Sequence, residues 1–427
     1  MRLTCIAIVA AVYAALFSST ASAQSGWTVL NSGSLNDLSG VHFINVDTGY
    51  AVGASATVLR TTNAGVSWQN VSPSGITANF NGVYAFNEPA NRVVAVGDGG
   101  AIQLSTDGGN HWTSVSSGLT DDLYSVSFMG GGGICGGGSQ SILNTTDAGS
   151  SWSIVQSGFF GGGFRGTCML SPQIGMVGGE NSIFQPLFGR TTDTGNNWSF
   201  VAFYLNSNEG RVNGIDFTDV SRGYAAAAVW DGRGGVARTT DGGDTWTTTF
   251  FPSDLYGINF PISATGLVGY AVGDSGRIIK TTDAGDTWRQ LTSGTPASLR
   301  GVHFLDFDEG YVVGDGGTIL KTTTGGEPPA AVEASSGQLP SSPVLHRNYP
   351  NPFNPLTNLQ LSISNCQLTI LLVYNILGQE VATLVNEVKP PGEYTVTWDA
   401  SNVPSGVYLC RLEAGGFVQT IKMILLR

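Results

Sequence analysis

The residue types that most often carry catalysis or bind metals are scarce in this sequence. Histidine occurs at positions 42, 111, 303 and 346, and two of these, His42 and His303, fall at the same place in two repeats. That placement indicates packing rather than a metal site. Residues 24–427 contain no His-Glu-x-x-His, Cys-x-x-Cys or Gly-x-Ser-x-Gly motif, and their glycine runs lack the helix and lysine of a phosphate-binding loop. The sequence therefore argues against these hydrolase classes, and we expect neither a metal ion nor a cofactor.

Cysteine chemistry is equally limited. Beyond the N-terminal leader the cysteines are Cys135, Cys168, Cys366 and Cys410. Four cysteines in a chain of this length do not make a disulfide scaffold. The pairs Cys135–Cys168 and Cys366–Cys410 stay open as either free thiols or disulfides.

A repeat of about 40 to 48 residues supplies the elements that must position any site. Residues 281–288 read Thr-Thr-Asp-Ala-Gly-Asp-Thr-Trp, and the same pattern places tryptophan at 68, 112, 152, 198, 246 and 288. An apolar strand pattern opens each unit and occurs seven times, at 38–43, 80–86, 123–128, 164–170, 212–217, 255–260 and 299–304. Seven units of four short strands predict an all-β fold, a seven-bladed β-propeller over residues 24–327.

The two ends of the array complement each other. The last unit reaches Pro328-Pro329 where a tryptophan strand is due, and residues 27–33 match residues 288–294 position by position. We therefore expect the N-terminal strand to complete the last blade and close the ring, which removes two free sheet edges.

The Thr-x-Asp-x-Gly-x-x-Trp pattern resembles the Asp-box of bacterial sialidases and the repeats of the photosystem II stability and assembly factor family, over residues 27–326. The Asp suits hydrogen bonds from turn amides, the Gly suits a positive φ, and the Trp suits packing between blades. A motif present in nearly every blade indicates structure rather than one catalytic site. Asn63 and Thr324 replace the Asp in two repeats, and we expect both to weaken their turns.

Two surfaces are candidates for binding. One residue of each first strand should line the mouth of the central channel: Ser39, Asn81, Tyr124, Arg165, Asn213, Tyr256 and Arg300. Blades four and five also carry longer loops, which lie on one face and add Tyr204, Arg211, Trp230 and Arg233 to it. A further stripe of basic residues, Arg60, Arg190, Arg238, Lys280 and Lys321, precedes the Thr pair in five repeats, and we expect it to form salt bridges with neighbouring aspartates.

Both ends of the chain have features of targeting sequences. Residues 1–23 have the charge, apolar run and Ala-x-Ala ending of a signal peptide, which predicts cleavage between Ala23 and Gln24. No later apolar run is long enough for a transmembrane helix. Residues 328–342 have the composition of a flexible linker. Residues 343–427 form a second small β domain, which opens with Asn348, Tyr349, Pro350, Asn351, Pro352, Phe353, Asn354 and Pro355.

This C-terminal segment resembles the type A sorting domain of the type IX secretion system. The resemblance implies an immunoglobulin-like β-sandwich, recognition by the type IX secretion machinery, passage through the periplasm, and release or attachment at the outer surface of a Bacteroidetes-type bacterium. The acidic propeller, with 25 acidic against 13 basic residues in 24–327, argues against nucleic acid as a partner. We therefore expect a secreted, non-catalytic binding or scaffolding propeller with an unidentified protein or glycan ligand. The alternative is a carbohydrate-active enzyme, sialidase-like or xyloglucanase-like, that uses the same face.

Overall fold

The computed structural model describes residues 25–87, 91–156, 161–205, 209–261, 267–328, 343–346, 348–364, 367–389 and 392–426. The chain divides into two compact units, residues 1–330 and 331–427. The signal peptide, its cleavage point at Ala23 and Gln24, and most of the linker lie outside the described residues. The three boundaries between the four segments expected from the sequence therefore stay predictions.

The first unit is a ring of seven four-stranded antiparallel sheets. The N-terminal strand and the first three blades comprise, in chain order, β1 Gly26–Leu30, β2 Leu38–Phe43, β3 Gly49–Gly53, β4 Val58–Thr61, β5 Gln69–Asn70, β6 Phe80–Ala85, β7 Val93–Gly97, β8 Ile102–Ser105, β9 Thr113–Val115, β10 Leu123–Met129, β11 Gly132–Gly137, β12 Ile142–Thr145 and β13 Ser153–Gln156. Blades four to seven follow with β14 Gly163–Met169, β15 Gly175–Glu180, β16 Pro186–Thr191, β17 Ser199–Ala202, β18 Gly210–Phe217, β19 Gly223–Val229, β20 Gly234–Thr239, β21 Thr247–Phe251, β22 Leu255–Asn259, β23 Gly269–Gly273, β24 Arg277–Thr281, β25 Arg289–Leu291, β26 Leu299–Phe304, β27 Glu309–Gly314 and β28 Thr318–Gly326.

Three blades turn from their second to their third strand through a single 3₁₀ turn, at Asp98–Gly100, Asp274–Gly276 and Asp315–Gly317. The strands are short because glycine and aspartate interrupt them. The second strand of the first six blades is buried along its whole length, in a pattern such as Gly-Tyr-Ala-Val-Gly, and that of the last blade is buried after Glu309. The fold is the all-β propeller that the repeat predicts.

The ring closes through its N-terminus. Strand β1 pairs antiparallel with β28, with Thr28 opposite Lys321 and Leu30 opposite Ile319, so the sheet of the last blade has the order β1-β28-β27-β26. Trp27 is buried and packs edge-on against Phe304 at 5.9 Å between ring centroids. The first strand of the chain therefore occupies the outer position of the seventh blade.

Aromatic stacks join neighbouring blades. Tyr224 of blade five stacks on Phe260 of blade six at 3.7 Å, and its hydroxyl donates to the carbonyl of Ala284 in the next Asp-box turn at 2.9 Å. Tyr311 of the last blade repeats this arrangement on Phe43 of the first blade, at 3.6 Å between centroids. Each such tyrosine contributes apolar area and one hydrogen bond across a blade interface.

The basic stripe serves the same interfaces. Lys321 of the last blade donates to the carbonyl of Ala64 in the first blade at 3.2 Å. Three members of the stripe form ion pairs: Arg238–Asp286, Lys280–Glu327 and Lys321–Glu309. The expectation of aspartate partners is thus correct for Arg238 and wrong for the two lysines, which pair with glutamates. Arg60 and Arg190 have no ion pair within the described part of the chain, although Arg60 lies beside Gly108 of the next blade.

The Asp-box turns are built as the residue types predict. In the sixth blade Asp283 accepts hydrogen bonds from the backbone N–H and the hydroxyl of Thr287, at 2.9 and 2.7 Å, and Gly285 takes φ +81°. These bonds, first the one from the Thr287 hydroxyl and then the one from its N–H, lower the pKa of Asp283 to about 2. Asn63 keeps the turn, because its Oδ1 accepts from the N–H of Ser67 at 3.0 Å.

The second unit is a β-sandwich. Its strands are β29 Val344–Leu345, β30 Leu356–Ile363, β31 Gln367–Asn375, β32 Glu380–Lys389, β33 Gly392–Asp399, β34 Gly406–Ala414 and β35 Phe417–Leu425. They form a three-stranded sheet, β29-β30-β33, and a four-stranded sheet, β32-β31-β34-β35. The core between the sheets is centred on Trp398, which packs against Phe353 and Tyr408 at 5.4 and 5.3 Å.

Candidate functional site

The central channel of the propeller has two cavities, one towards each end of the seven first strands. The cavity at the start of these strands encloses about 210 Å³, and six of the seven predicted ring residues line it: Ser39, Asn81, Tyr124, Arg165, Asn213 and Tyr256. Arg300, the seventh, follows Leu299 at the start of β26, and the next residue, Gly301, lines the same wall. We call this ring of seven the upper ring.

Blades three and four meet at an arginine of the upper ring. The guanidinium of Arg165 lies over the ring of Tyr124, 4.4 Å from its centroid, and donates to Glu180 at 3.3 Å. Glu180 is buried, and burial raises the pKa of its carboxyl. One Glu180 carboxylate oxygen and the Nε of Arg165 have no partner among the described residues. Arg165 and Glu180 therefore form one ion pair with a long N···O distance, in an environment that contains little water.

On the opposite side of the mouth the arginine of the upper ring makes a two-point ion pair. Arg300 donates to both carboxylate oxygens of Asp315, at 2.5 and 3.2 Å, and lies 5.5 Å from the ring centroid of Tyr256. The Tyr256 hydroxyl donates to Asp274 at 2.9 Å. Burial and the neighbouring Asp274 raise the pKa of Tyr256 to about 12. A tyrosine in this state is a poor nucleophile, because its phenolate is disfavoured.

The cavity at the other end of the first strands encloses about 450 Å³. One polar or aromatic residue from each blade lines it, and we call this set the lower ring: His42, Tyr84, Ser127, Cys168, Asp216, Asn259 and His303. In five blades this side chain accepts a hydrogen bond from a backbone N–H of the next blade, at Ala85, Met169, Phe260, Phe304 and Phe43. The lower ring therefore links the blades as well as lining the cavity.

The hydrogen bonds of the two lower-ring histidines require that both imidazoles are neutral. Nδ1 of His303 accepts from the N–H of Phe43 and Nδ1 of His42 from that of Ala85, which leaves the proton on Nε2 in both rings. The imidazoles lie 4.6 Å apart, and burial lowers the pKa of both, that of His303 to about 4. No group of three metal-ligating side chains occurs among the described residues. Sequence analysis found the shared register of these histidines and missed their backbone partners.

The exposed face of blades four and five carries an aromatic cluster. Trp230 and Phe184 meet edge to face at 5.5 Å, and each is 49% exposed. The guanidinium of Arg211 lies 5.6 Å from the Trp230 ring centroid, while its Nε donates to Asn213 of the upper ring at 3.0 Å. Arg211 thus connects the aromatic cluster to the channel mouth. Ile183, beside Phe184, is also exposed.

The structure distributes the remaining loop residues differently. Tyr204 is exposed and has no aromatic ring contact within the described part of the chain. Its neighbour Phe203, which the sequence places outside the repeat pattern, is buried and stacks on Trp246 at 5.1 Å, so it belongs to the core. Arg233 pairs with Asp231 at 2.6 Å and lies over Phe250. Sequence analysis missed Phe184, whose signal is an apolar pair inside a polar loop.

In the second unit, the predicted sorting motif buries Asn348 and Phe353, and its exposed residues include Tyr349 and Asn351. The Asn351 side chain accepts from the N–H of Ile424 at 2.8 Å and donates to the carbonyl of Lys422 at 3.1 Å. Asn348 is buried and donates to the Thr357 hydroxyl at 2.9 Å. Phe353 is buried and exchanges backbone hydrogen bonds with the last strand. The motif thus fixes the end of the chain to the body of the sandwich.

One family comparison covers this second unit. Residues 347–426 match the family described as secretion system C-terminal sorting domain. The sorting domain indicates recognition by the type IX secretion machinery and export to the medium or the outer surface. Within the described residues, no helix is both long and apolar enough to cross a membrane.

The propeller has its own similarities. Residues 251–352 match the family described as photosynthesis system II assembly factor YCF48. Among solved structures, YCF48 bound to D1 peptide is 18% identical, with a TM-score of 0.56 over 70% of this chain and 95% of that chain. YCF48 from Cyanidioschyzon merolae is 18% identical, with a TM-score of 0.54 over 69% and 98%. The WD40 β-propeller domain of Doa1 is 15% identical, with a TM-score of 0.56 over 70% and 96%. No curated protein matches the chain.

The described cysteines of the propeller and of the sorting domain core are free. Cys135, Cys168 and Cys410 carry thiols, and burial raises the pKa of each, that of Cys410 to about 12. Cys366 lies outside the described residues. No thiolate therefore forms at these three positions near neutral pH.

Proposed function

We propose that the exported propeller is a non-catalytic binding module, and that it takes an extended peptide segment of another protein on the rim of blades four and five. The observation that carries this proposal is the exposed Phe184–Trp230 pair, with Arg211 beside it. Aromatic and arginine side chains dominate binding energy at protein interfaces, and two large aromatic rings half open to water have an unfavourable hydration that a partner relieves.

The setting of this pair supports a peptide ligand. Arg211 lies between the aromatic cluster and the upper ring, because it donates a hydrogen bond to the amide of Asn213. Tyr124 and Tyr256 provide further aromatic surface in the upper ring. Apolar anchors beside polar side chains suit the alternating side chains and amides of an extended chain. YCF48, a propeller of this fold, has been solved bound to a D1 peptide. That likeness supports a peptide as the ligand class and does not identify the protein that supplies the peptide.

The state of the upper ring favours binding over the alternative of a sialidase-like or xyloglucanase-like glycosidase. Arg165 and Arg300, the arginines such a site would turn towards a substrate carboxylate, are each paired with a carboxylate of the protein. Tyr256 has a raised pKa, which is the opposite of nucleophile activation.

A binding screen with the mature chain, residues 24–427, tests the proposal. Immobilised protein is offered a display library of random linear peptides and, in parallel, sialosides and plant and bacterial polysaccharides. We expect enriched peptides that lose at least about tenfold in affinity in the Phe184→Ala, Trp230→Ala double variant. The matched control replaces two isolated exposed apolar residues, Leu35→Ala and Val66→Ala, and should bind normally.

Other outcomes would redirect the assignment. Release of reducing sugar would establish the glycosidase, and retention of a polysaccharide without turnover would establish a glycan-binding module. Peptides that survive the aromatic double variant and are lost in Arg165→Ala or Arg300→Ala would move the site to the upper ring.

The route of export is part of the same proposal. We propose that residues 1–23 direct the chain into the periplasm, that cleavage leaves Gln24 first, and that the sorting domain then carries the propeller across the outer membrane and is removed. Intact mass of the secreted protein tests the processing, since a full-length chain of residues 24–427 in the medium would contradict removal. A chain lacking 343–427 should remain in the periplasm with a folded propeller.

A further inference from the structure

The sorting domain must present a surface to the export machinery, and its signature loop uses part of its side chains to hold the domain together. Asn348, Asn351 and Phe353 are engaged with Thr357, the last strand and the Trp398 core. A motif that holds the domain together explains why its sequence is recognisable. It leaves open which surface a partner contacts.

One turn of this domain exposes two adjacent apolar side chains. Ile376 and Leu377, between β31 and β32, are 74% and 77% exposed, the highest values among the large apolar side chains of this domain's described residues. Of the other exposed large side chains of the domain, Tyr349 lies in the signature loop, and Leu356, Leu368, Val388 and Val418 lie in strands. We call Ile376 and Leu377 the apolar tip.

The turn that carries the apolar tip is firmly built. Asn375 closes it, because its Oδ1 accepts from the N–H groups of Leu377 and Gln379 at 2.9 and 3.1 Å, and its Nδ2 donates to the Gln379 side chain at 2.9 Å. Gly378 takes φ +75°, a conformation that glycine adopts without strain. Asn375 also ends β31, a central strand of the four-stranded sheet, opposite Tyr408. The two apolar side chains are therefore held at a fixed place on the rigid core.

A rigid pair of exposed apolar residues loses little conformational entropy when it enters a pocket. No charged residue interrupts the turn between Asn375 and Gln379. The first acidic residue after it, Glu380, accepts a hydrogen bond from the Thr383 hydroxyl. These properties fit insertion into an apolar pocket of a protein, and they do not fit a lipid headgroup surface, which would call for basic residues.

We propose that the apolar tip is the docking element through which the type IX machinery engages this domain, by insertion of Ile376 and Leu377 into an apolar pocket of a machinery protein. The occupant follows from the family of the domain, since a sorting domain is recognised by that machinery. The inference rests on the export route proposed above and names the surface that the route uses.

The test is made on the full chain in a bacterium with a working type IX system. The double variant Ile376→Ser, Leu377→Ser keeps Asn375 and Gly378, so the turn should form and the melting temperature of the purified chain should stay unchanged. We expect the exported fraction, measured by immunoblot of medium and cell surface against cell contents, to fall at least about tenfold. The apolar exchange Ile376→Leu, Leu377→Ile should export normally, as should the matched strand variant Val388→Ser.

Each outcome bears on one proposal. If the chain without residues 343–427 is still exported, the export route itself is wrong. If that deletion blocks export and the serine variant exports normally, the apolar tip is not the docking element. A serine variant that unfolds would show that the tip serves folding, and one that changes the oligomeric state of the purified chain would show that the tip binds a second copy. Both results overturn the proposal.

Discussion

His303 of the last blade accepts a hydrogen bond from the backbone N–H of Phe43 in the first blade, with 3.3 Å between N and Nδ1. This bond crosses the seam at which the ring closes. Its acceptor must be neutral, because a protonated imidazole has no lone pair at Nδ1. The seam is therefore sensitive to acid.

The sign of the acid effect follows from the pKa values. Burial lowers the pKa of His303 from 6.5 to about 4, so between these values the unfolded chain binds a proton that the folded chain does not, and stability falls as pH falls. His42 acts in the same direction. Asp216 opposes both, since burial raises its pKa from 3.8 to about 6, and the folded chain gains stability as that carboxyl is protonated. Glu180 and Asp254, whose pKa values burial also raises, act in the same direction as Asp216. The contribution of the two histidines alone therefore predicts destabilisation as pH falls from 6.5 to about 4.

The variant His303→Asn should separate the hydrogen bond from the titration. Asn259 shows that asparagine fits this position, because its Oδ1 accepts from the N–H of Phe304 at 2.8 Å. We expect His303→Asn to remain folded and to lose up to about 3 kcal/mol less stability than the parent between pH 7 and pH 4, measured by urea unfolding at each pH. His346→Asn, in the sorting domain, is the control. An unchanged pH profile in His303→Asn would contradict this role.

Trp27 should matter more than the tryptophans it matches in sequence. It is 5% exposed, whereas Trp288 at the equivalent position of blade six is half-buried. We expect Trp27→Ala to cost about 3–5 kcal/mol, as for loss of a large buried aromatic, and Trp288→Ala to cost less. Trp230→Ala should cost least, because its ring is exposed. Chemical denaturation of the three variants measures the order, and equal losses would refute it.

The turn at Asn63 should be improved by Asn63→Asp. In blade three, Asp147 accepts from the N–H and the hydroxyl of Ser151 at 2.9 and 2.7 Å, and Ser67 offers the same groups to residue 63. A carboxylate makes stronger hydrogen bonds than an amide. We expect a higher melting temperature at pH 7. The gain should disappear as pH falls from about 4 to about 2, since the pKa of the equivalent Asp283 is lowered to about 2.

The two buried thiols, Cys135 and Cys410, and the partly buried Cys168 should resist alkylation in the folded protein. Burial raises the pKa of Cys135, Cys168 and Cys410, so iodoacetamide at pH 8 should leave all three unmodified until the chain is unfolded in urea. Peptide mass mapping after each treatment gives the result by position. Rapid labelling of Cys168 in the native chain would show that the lower cavity admits reagents.

Sequence periodicity was enough to predict the strands of the blades, but it was insufficient to predict the contacts between neighbouring blades. The spacing of the repeat locates the first strands within one or two residues, and the match between residues 27–33 and 288–294 places Trp27 in the last blade. These features depend on local alternation and turn chemistry, which a single repeat displays. The partners of His303 and Lys321 depend on how one blade docks on the next, and no local pattern encodes that distance.

The candidate binding surface divides in the same way. Trp230 and Arg211 stand out because they interrupt the repeat, and the structure brings them together. Tyr204 also interrupts the repeat, but its side chain is exposed, while the side chain of Phe203 is buried in the core. The direction of a side chain in a loop depends on the path of the backbone, so residue type alone did not distinguish Phe203 from Phe184.

Closure of the ring through β1 also fixes an order of events. Gly26 lies opposite Gly326, so the segment of the propeller that is synthesised first can pair only after all seven blades have been synthesised. The sorting domain comes after the propeller in the sequence. A chain that terminates before β28 would lack both the partner strand of β1 and the sorting domain. Because the sorting domain follows the propeller, secretion is restricted to molecules that possess every strand needed for a closed ring.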